Sequence, residues 1–341
     1  MADMVTLLNT IRENASTEYQ NRVPEATRTN IAEVGNPIVS YSLTMNEFLN
    51  LMVNKIAFTL VRNKTFKNPL SVLKKGNVPL GQDIEELFTN IAKGEKYDPT
   101  GSELLKRKLP DTKVMYHRMN RQDQYTVTIS RQQIKNAFTS YTELEKLVNT
   151  IVTSMYSGDN FDEFVLMKNL FASAITDGKI TTVDVEGLTS AELSTEFVKN
   201  VKTISGYMQF PSSNFNKYYN FKPSTDTGDP ITTWTPKENQ ILLLRTDVKT
   251  DIDVDVLAQA FNMDKVNFMS RVVEVDNFGS AKNCLGILMD ESTIEVRDNL
   301  LEITDFYNGK GMYTNYYLNH WQTYSLSLFG NAVAFMQKES V

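Results

Sequence analysis

An α+β fold is predicted for this chain of 341 residues, and three observations predict it. Leu144, Leu147, Val148, Ile151, Val152 and Met155 form an apolar stripe at helical spacing, resumed after Gly158-Asp159 by Phe161, Phe164, Val165, Leu170, Phe171 and Ala174. Short, largely apolar runs, Ile241–Leu244, Val272–Val275 (with Glu274 inside it) and Leu285–Met289, read as buried strands. The segment from Tyr313 to Phe335 is dense in aromatic and β-favouring residues.

In chain order, residues 1–60 hold two amphipathic stretches. Val5, Leu8 and Ile11 share one helical face; Phe48, Leu49, Met52, Val53, Ile56 and Leu60 share another. Pro24, Gly35 and Pro37 break the connection between them, so the segment reads as an arm lying on another surface. Breakers then recur from Asn68-Pro69 to Lys108-Leu-Pro110, which predicts loops, turns and short strands. Tyr125, Val127 and Ile129 alternate with threonines as a strand, and Ser130 is placed to cap a helix through Ile134, Ala137 and Phe138. The double stripe follows, with its break at Gly158-Asp159. Ile180, Thr182, Val183 and Val185 predict a strand, Glu196–Ile204 a helix, and Phe210–Pro236 an exposed loop rich in proline, serine and tyrosine. A further helix is expected at Val254–Phe261, among the buried strands.

Charge is distributed unevenly. The whole chain carries 35 Lys+Arg against 41 Asp+Glu, a net charge of −6. Residues 61–121 hold 13 basic against 7 acidic side chains, so the excursion is basic and the remaining body strongly acidic. Such a split marks contact between unlike surfaces, a partner's or another copy's. The acidic total argues against a general nucleic-acid binder. One cysteine, Cys284, and two histidines exclude an internal disulfide and a Cys/His zinc site, so any metal chemistry would have to use carboxylates. No basic leader and no bilayer-length apolar run is present, and the chain reads as soluble and made in a reducing cytoplasm.

The sequence holds few patterns that carry chemistry. Asp251-Ile-Asp253-Val-Asp255 opens like a calcium loop, yet the sixth position holds Val256 where a glycine must turn and the twelfth Asn262 where a glutamate must ligate. A strand running into a helix is the better reading. No nucleophile elbow surrounds any serine, Cys284 enters an apolar strand as a buried thiol, and His117 beside Arg118 and Arg121 reads as a surface residue. Lys74-Lys75-Gly-Asn-Val-Pro-Leu-Gly81 lacks the Gly-Lys-Ser/Thr ending of a phosphate loop and reads as a turn. The tail aromatics, Trp321 among them, read as core or subunit interface.

Five collinear segments resemble one family. They are Lys67-Asn-Pro-Leu70 leading to Lys74–Gly81 and Asp83-Ile-Glu-Glu86; Tyr116-His-Arg-Met-Asn-Arg-Gln122; Asp253–Asn262; Tyr316-Tyr317 with His320-Trp-Gln-Thr323; and Asn331-Ala-Val-Ala-Phe335. Together they resemble the major head protein of small podoviruses with protein-primed linear genomes. The resemblance implies the Hong Kong 97-type capsid fold, with an N-terminal arm (1–60), an extended loop over a neighbouring subunit (61–128), a peripheral domain with a spine helix (129–176), an axial domain (177–312) and a C-terminal return to the peripheral domain (313–341). It further implies a shell protein of the virion, icosahedral or prolate, that encloses double-stranded DNA without reading its sequence. The implied partners are other copies of the chain, scaffolding protein, portal and head fibres. No enzyme activity, metal, cofactor or membrane contact is expected. Lys74, Lys75, Asp83, Glu85, Glu86, Arg118, Arg121 and Trp321 are the candidates for subunit contact.

Two departures qualify the resemblance. Some relatives carry a following immunoglobulin-like domain, which is not expected here, and no motif fixes the Lys/Asn/Glu trio of cross-linked shells, so assembly is expected to be non-covalent. Rival readings are another shell of the same fold, such as an encapsulating compartment, and a carboxylate-based hydrolase using Asp251 or Asp253.

Overall fold

The computed structural model describes residues 4–59, 66–97, 99–101, 105, 107–186, 191–224, 226, 228–251 and 271–338. Helices and strands are mixed along the chain, as expected. The chain divides into two units: residues 1–68, 121–163 and 298–322, and residues 69–120, 164–297 and 323–341.

The first unit is a helical layer with a three-stranded sheet. Four helices open it: α1 (Met4–Asn14), α2 (Thr17–Arg22), α3 (Ile31–Ser40) and α4 (Ser42–Thr59). Helix α1 buries Met4, Leu7, Leu8 and Ile11, the i, i+3, i+4, i+7 face. Ser16 caps α2 by accepting from the Tyr19 backbone N–H. Helix α4 buries Met45, Phe48, Leu49 and Met52. Strand β3 (Arg121–Ser130) then runs into α5 (Arg131–Ala137), where Ser130 and Gln133 form a reciprocal capping box. The long helix α6 (Tyr141–Thr176) contributes its first part, through Glu163, to this unit. Strands β8 (Ile294–Asn308) and β9 (Tyr313–Leu326) complete the sheet in the order β3-β9-β8.

One core joins all these pieces. Residues of α1 to α4 pack with Ile129, Ile134, Phe138, Leu144, Met155, Tyr316 and Leu318. The Phe48 and Phe138 rings lie 5.1 Å apart. Gly35 makes the crossing of α3 possible, since a Cβ there would meet Phe138 Cβ at 2.4 Å. The surface on which the expected arm lies is thus part of its own chain. The arm's apolar faces are already covered by the chain's own unit, and each large side chain so buried contributes about 1.5–3 kcal/mol.

The second unit is built on a five-stranded mixed sheet. It contains β4 (Thr181–Val185), β5 (Gln240–Arg245), β6 (Val272–Val275), β7 (Cys284–Asp290) and β10 (Ala332–Gln337), in the order β4-β10-β7-β5-β6. Both faces are covered along β5 and β7, which explains their apolar runs, whereas the edge strand β6 carries Glu274. Leu243, Ile287, Met289 and Ala334 meet Phe164, Met167 and Phe171 of α6 on one face. Leu242, Leu244, Leu288 and Phe335 meet Phe197, Val201 and Met208 of α7 (Ala191–Met208) on the other. Cys284 is buried, and burial pushes its thiol pKa up to about 12, as an inert core residue requires.

A two-stranded hairpin, β1 (Ile84–Thr89) and β2 (Thr112–His117), also belongs to this unit, as do the short helices α8 (Tyr218–Phe221) and α9 (Thr246–Asp251). Three expectations change. Helix α6 runs through Gly158-Asp159 without a break, because Asp159 is held by buried polar partners rather than by a turn. The basic excursion ends at Asn120, since β3 is a sheet strand of the first unit. The tail does not return to one place: β9 pairs with β3, whereas β10 lies inside the five-stranded sheet. The expected helix at Val254–Phe261 and the Asp253 and Asp255 positions lie outside the described residues.

Candidate assembly surfaces

The hairpin has two unlike faces, as period-2 geometry dictates. Ile84, Glu86, Phe88, Lys113, Met115 and His117 point inward; Glu85, Leu87, Thr89, Thr112, Val114 and Tyr116 point outward. Antiparallel pairing sets Leu87 opposite Val114 and Glu85 opposite Tyr116. All four are exposed, so an apolar stripe flanked by an acid faces outward. Along the connection between the strands, Ile91, Tyr97, Leu105 and Leu109 are exposed too. Isolated exposed apolar residues are ordinary, but a contiguous strip on one hairpin face is the mark of a contact surface.

The inward face is fastened to its own unit by both apolar and charged contacts. Phe88 meets Phe329 at 5.6 Å between ring centroids, and Phe329 meets Tyr218 at 5.1 Å. Lys113, fully enclosed, donates to Asp226 at 2.8 Å and pairs with Asp111 at 2.8 Å. Asp226 also accepts from Tyr218 Oη at 3.0 Å and the Gly228 backbone N–H at 2.8 Å. The Lys113 hydrogen bond, with these two, holds the Asp226 carboxyl down to about 2. Asn90 donates to Asp111 at 2.7 Å and accepts from the Thr232 backbone N–H at 3.0 Å. Glu86 faces His117 Nε2 at 2.9 Å and accepts from Ser327 Oγ at 2.9 Å, while His117 Nδ1 meets Ser325 Oγ.

A cleft of about 910 Å³ lies in the first unit, between α3, α5 and the turn at Gly311-Met312. Arg131 and Lys135 line it, and no carboxylate does. No helix among the described residues is long and apolar enough to cross a membrane.

A model of the Phi29-like phage major capsid protein family matches residues 8–336. The chain belongs to that family. It is a structural protein of the phage head and a virion component, and its fold is Hong Kong 97-like. The major capsid protein of Bacillus phage PZA is 34% identical over 335 residues, covering 97% of this chain and 72% of that protein. The major capsid protein of Bacillus phage B103 is 33% identical over 338 residues, covering 98% and 73%. Among solved structures, the capsid of Staphylococcus phage Andhra superimposes with a TM-score of 0.67 at 14% identity, over 82% of this chain and 87% of that one.

For a Phi29-like capsid subunit, the residues singled out in the sequence fall into distinct environments. Asp83 and Arg118 pair at 3.0 Å on the surface, and Glu85 accepts from the Tyr116 hydroxyl at 3.3 Å beside the outward stripe. Lys75 is engaged within its own unit, by Glu295 and by the Ser292 carbonyl at 3.1 Å. Lys74 and Trp321 are half-buried. Glu86 faces inward. Two expectations are corrected by burial. His117 is enclosed rather than at the surface, because β2 alternation turns it toward Glu86. Arg121 is enclosed as well, its guanidinium donating to Asp123 at 2.6 Å, the Tyr125 hydroxyl at 2.8 Å and Asp159 at 2.8 Å within its own unit.

Sequence reasoning missed the hairpin stripe and a buried polar cluster on β9. The signal was present in both cases. Leu87, Val114 and Tyr116 alternate with the anchored residues, and Tyr316, Leu318, His320 and Gln322 are every second residue of one strand.

Proposed function

We propose that this chain self-assembles, without covalent cross-links, into a closed icosahedral or elongated shell that encloses double-stranded DNA. In this reading the unit with the three-stranded sheet serves as the peripheral domain and the unit with the five-stranded sheet as the axial domain. The hairpin seats its outward face on a neighbouring copy. One observation carries the reading: the inner face of the hairpin is clamped to its own unit while Leu87, Val114 and Tyr116 are left outward. A surface so presented is complementary to a heterologous contact, in which each copy offers one patch and receives another. Scaffolding protein, portal and head fibres are its partners during and after assembly in the bacterial cytoplasm. The acidic body repels rather than grips the packaged DNA, and the subunit performs no catalysis.

Co-expression with the scaffolding protein followed by electron microscopy tests this. Closed shells are expected. Subunits that stay monomeric at high concentration in the presence of scaffold would overturn it.

A further inference from the structure

We infer that the first unit binds one divalent metal ion through Glu163, Asp298 and His320. Each of these residues offers one ligand atom, and the three atoms lie within 4.8 Å of one another. Glu163 and His320 are 3% and 2% exposed, so the set is enclosed rather than a surface cluster of acids. The residues come from three elements of one unit: Glu163 from α6, Asp298 from β8 and His320 from β9.

The imidazole is oriented as a metal ligand. Both Asp159 carboxylate oxygens approach His320 Nδ1, at 2.7 and 2.8 Å, the kind of contact by which a carboxylate orients a ligating imidazole. Nε2 faces Asp298 Oδ1, 3.0 Å away. The carboxylates are also held. Gln322 Nε2 donates to Glu163 Oε2 at 2.8 Å and to Asp298 Oδ1 at 2.6 Å, and Asn68 donates to Glu163 Oε1 at 2.8 Å. Arg121 supports this outer ring through Asp159 and Gln322.

Bonds of about 2.0–2.2 Å to nitrogen and oxygen place ligand atoms roughly 3–3.5 Å apart, so the side chains close on an ion with shifts under about 1 Å. One imidazole with two carboxylates suits zinc or manganese better than calcium or magnesium, which favour oxygen alone. The ion would tie helix α6 to strands β8 and β9 within the unit. Binding only the folded form, it would raise stability.

The test uses the full chain, stripped with a chelator and titrated with Zn²⁺, Mn²⁺ and Ca²⁺ by calorimetry, with thermal unfolding alongside. One Zn²⁺ or Mn²⁺ per chain and a raised unfolding temperature are expected. Asp159→Asn should weaken binding by about 10–100-fold, and Glu163→Gln or His320→Gln by more than that. Should a variant fail to fold, X-ray absorption on the zinc-loaded native chain decides, with one nitrogen and at least two oxygens expected around the ion. Sub-stoichiometric uptake, a preference for Ca²⁺, sulfur in the shell, or a His320→Gln variant that binds like the native chain would each overturn the assignment.

Discussion

Lys113 and Asp226, 113 positions apart in the chain, meet at 2.8 Å with the lysine side chain only 2% exposed. The ammonium is enclosed at the root of the hairpin with Asp111 as its second partner. Removing it leaves two carboxylates facing each other. Lys113→Met is expected to cost about 2–4 kcal/mol, somewhat below a fully buried pair because Asp111 is 35% exposed. The midpoint of urea unfolding checks this, and an unshifted midpoint would remove the clamp from the account.

The same pair sets a pH dependence. Asp226 is held down to about 2, and Asp111 is lowered by its hydrogen bond to Lys113, whereas a free aspartate titrates near pH ~3.9. The unfolded chain therefore takes up protons at higher pH than the folded one. Their contribution is complete above pH ~5 and is lost progressively toward pH ~2. Unfolding midpoints measured between pH 5 and pH 2 should fall, and Asp226→Asn should flatten that fall.

Gly35 and Gly206 are both helical, yet alanine should act oppositely at the two. At Gly206 a Cβ meets nothing within 4 Å, so Gly206→Ala gains roughly 0.5–1 kcal/mol of helix propensity. At Gly35 it meets Phe138 Cβ at 2.4 Å, an atom fixed by its own backbone. Overpacking of this kind costs about 1–3 kcal/mol and outweighs the propensity gain. Thermal unfolding of the two variants should move in opposite directions.

Assembly and folding should separate along the hairpin. Leu87→Asp changes an outward residue that is 62% exposed, so the subunit should unfold within about 0.5 kcal/mol of the native chain but form no shells. Lys75→Glu behaves differently, since it faces Glu295, itself nearly buried, and should destabilise the subunit before assembly begins. Paired measurements of unfolding and of shell yield by sedimentation distinguish the two. A Leu87→Asp variant that yields normal shells would argue against the outward face as a contact.

Much of the architecture was legible in the sequence. Hydrophobic spacing located the two stripes of α6, though not its continuity through Gly158-Asp159, and the buried strands β5, β6 and β7, and residue type marked the Ser130 cap, because each depends on residues near one another in the chain. Composition excluded disulfides and Cys/His zinc sites and split a mildly acidic total into a basic excursion and an acidic body. Collinear motifs supplied the family. Tertiary structure decided what each surface is for. Helices α1 to α4 show apolar faces whether they cover a neighbour or their own core, and only Ile129, Phe138 and Leu318 packed beneath them settle which. Arg121 and His117 look like surface charges in a basic run until strand register turns them inward, where Asp159 and Glu86 receive them. Glu163, Asp298 and His320 lie far apart in the chain, and no spacing rule can see a cluster that exists only once α6, β8 and β9 have come together.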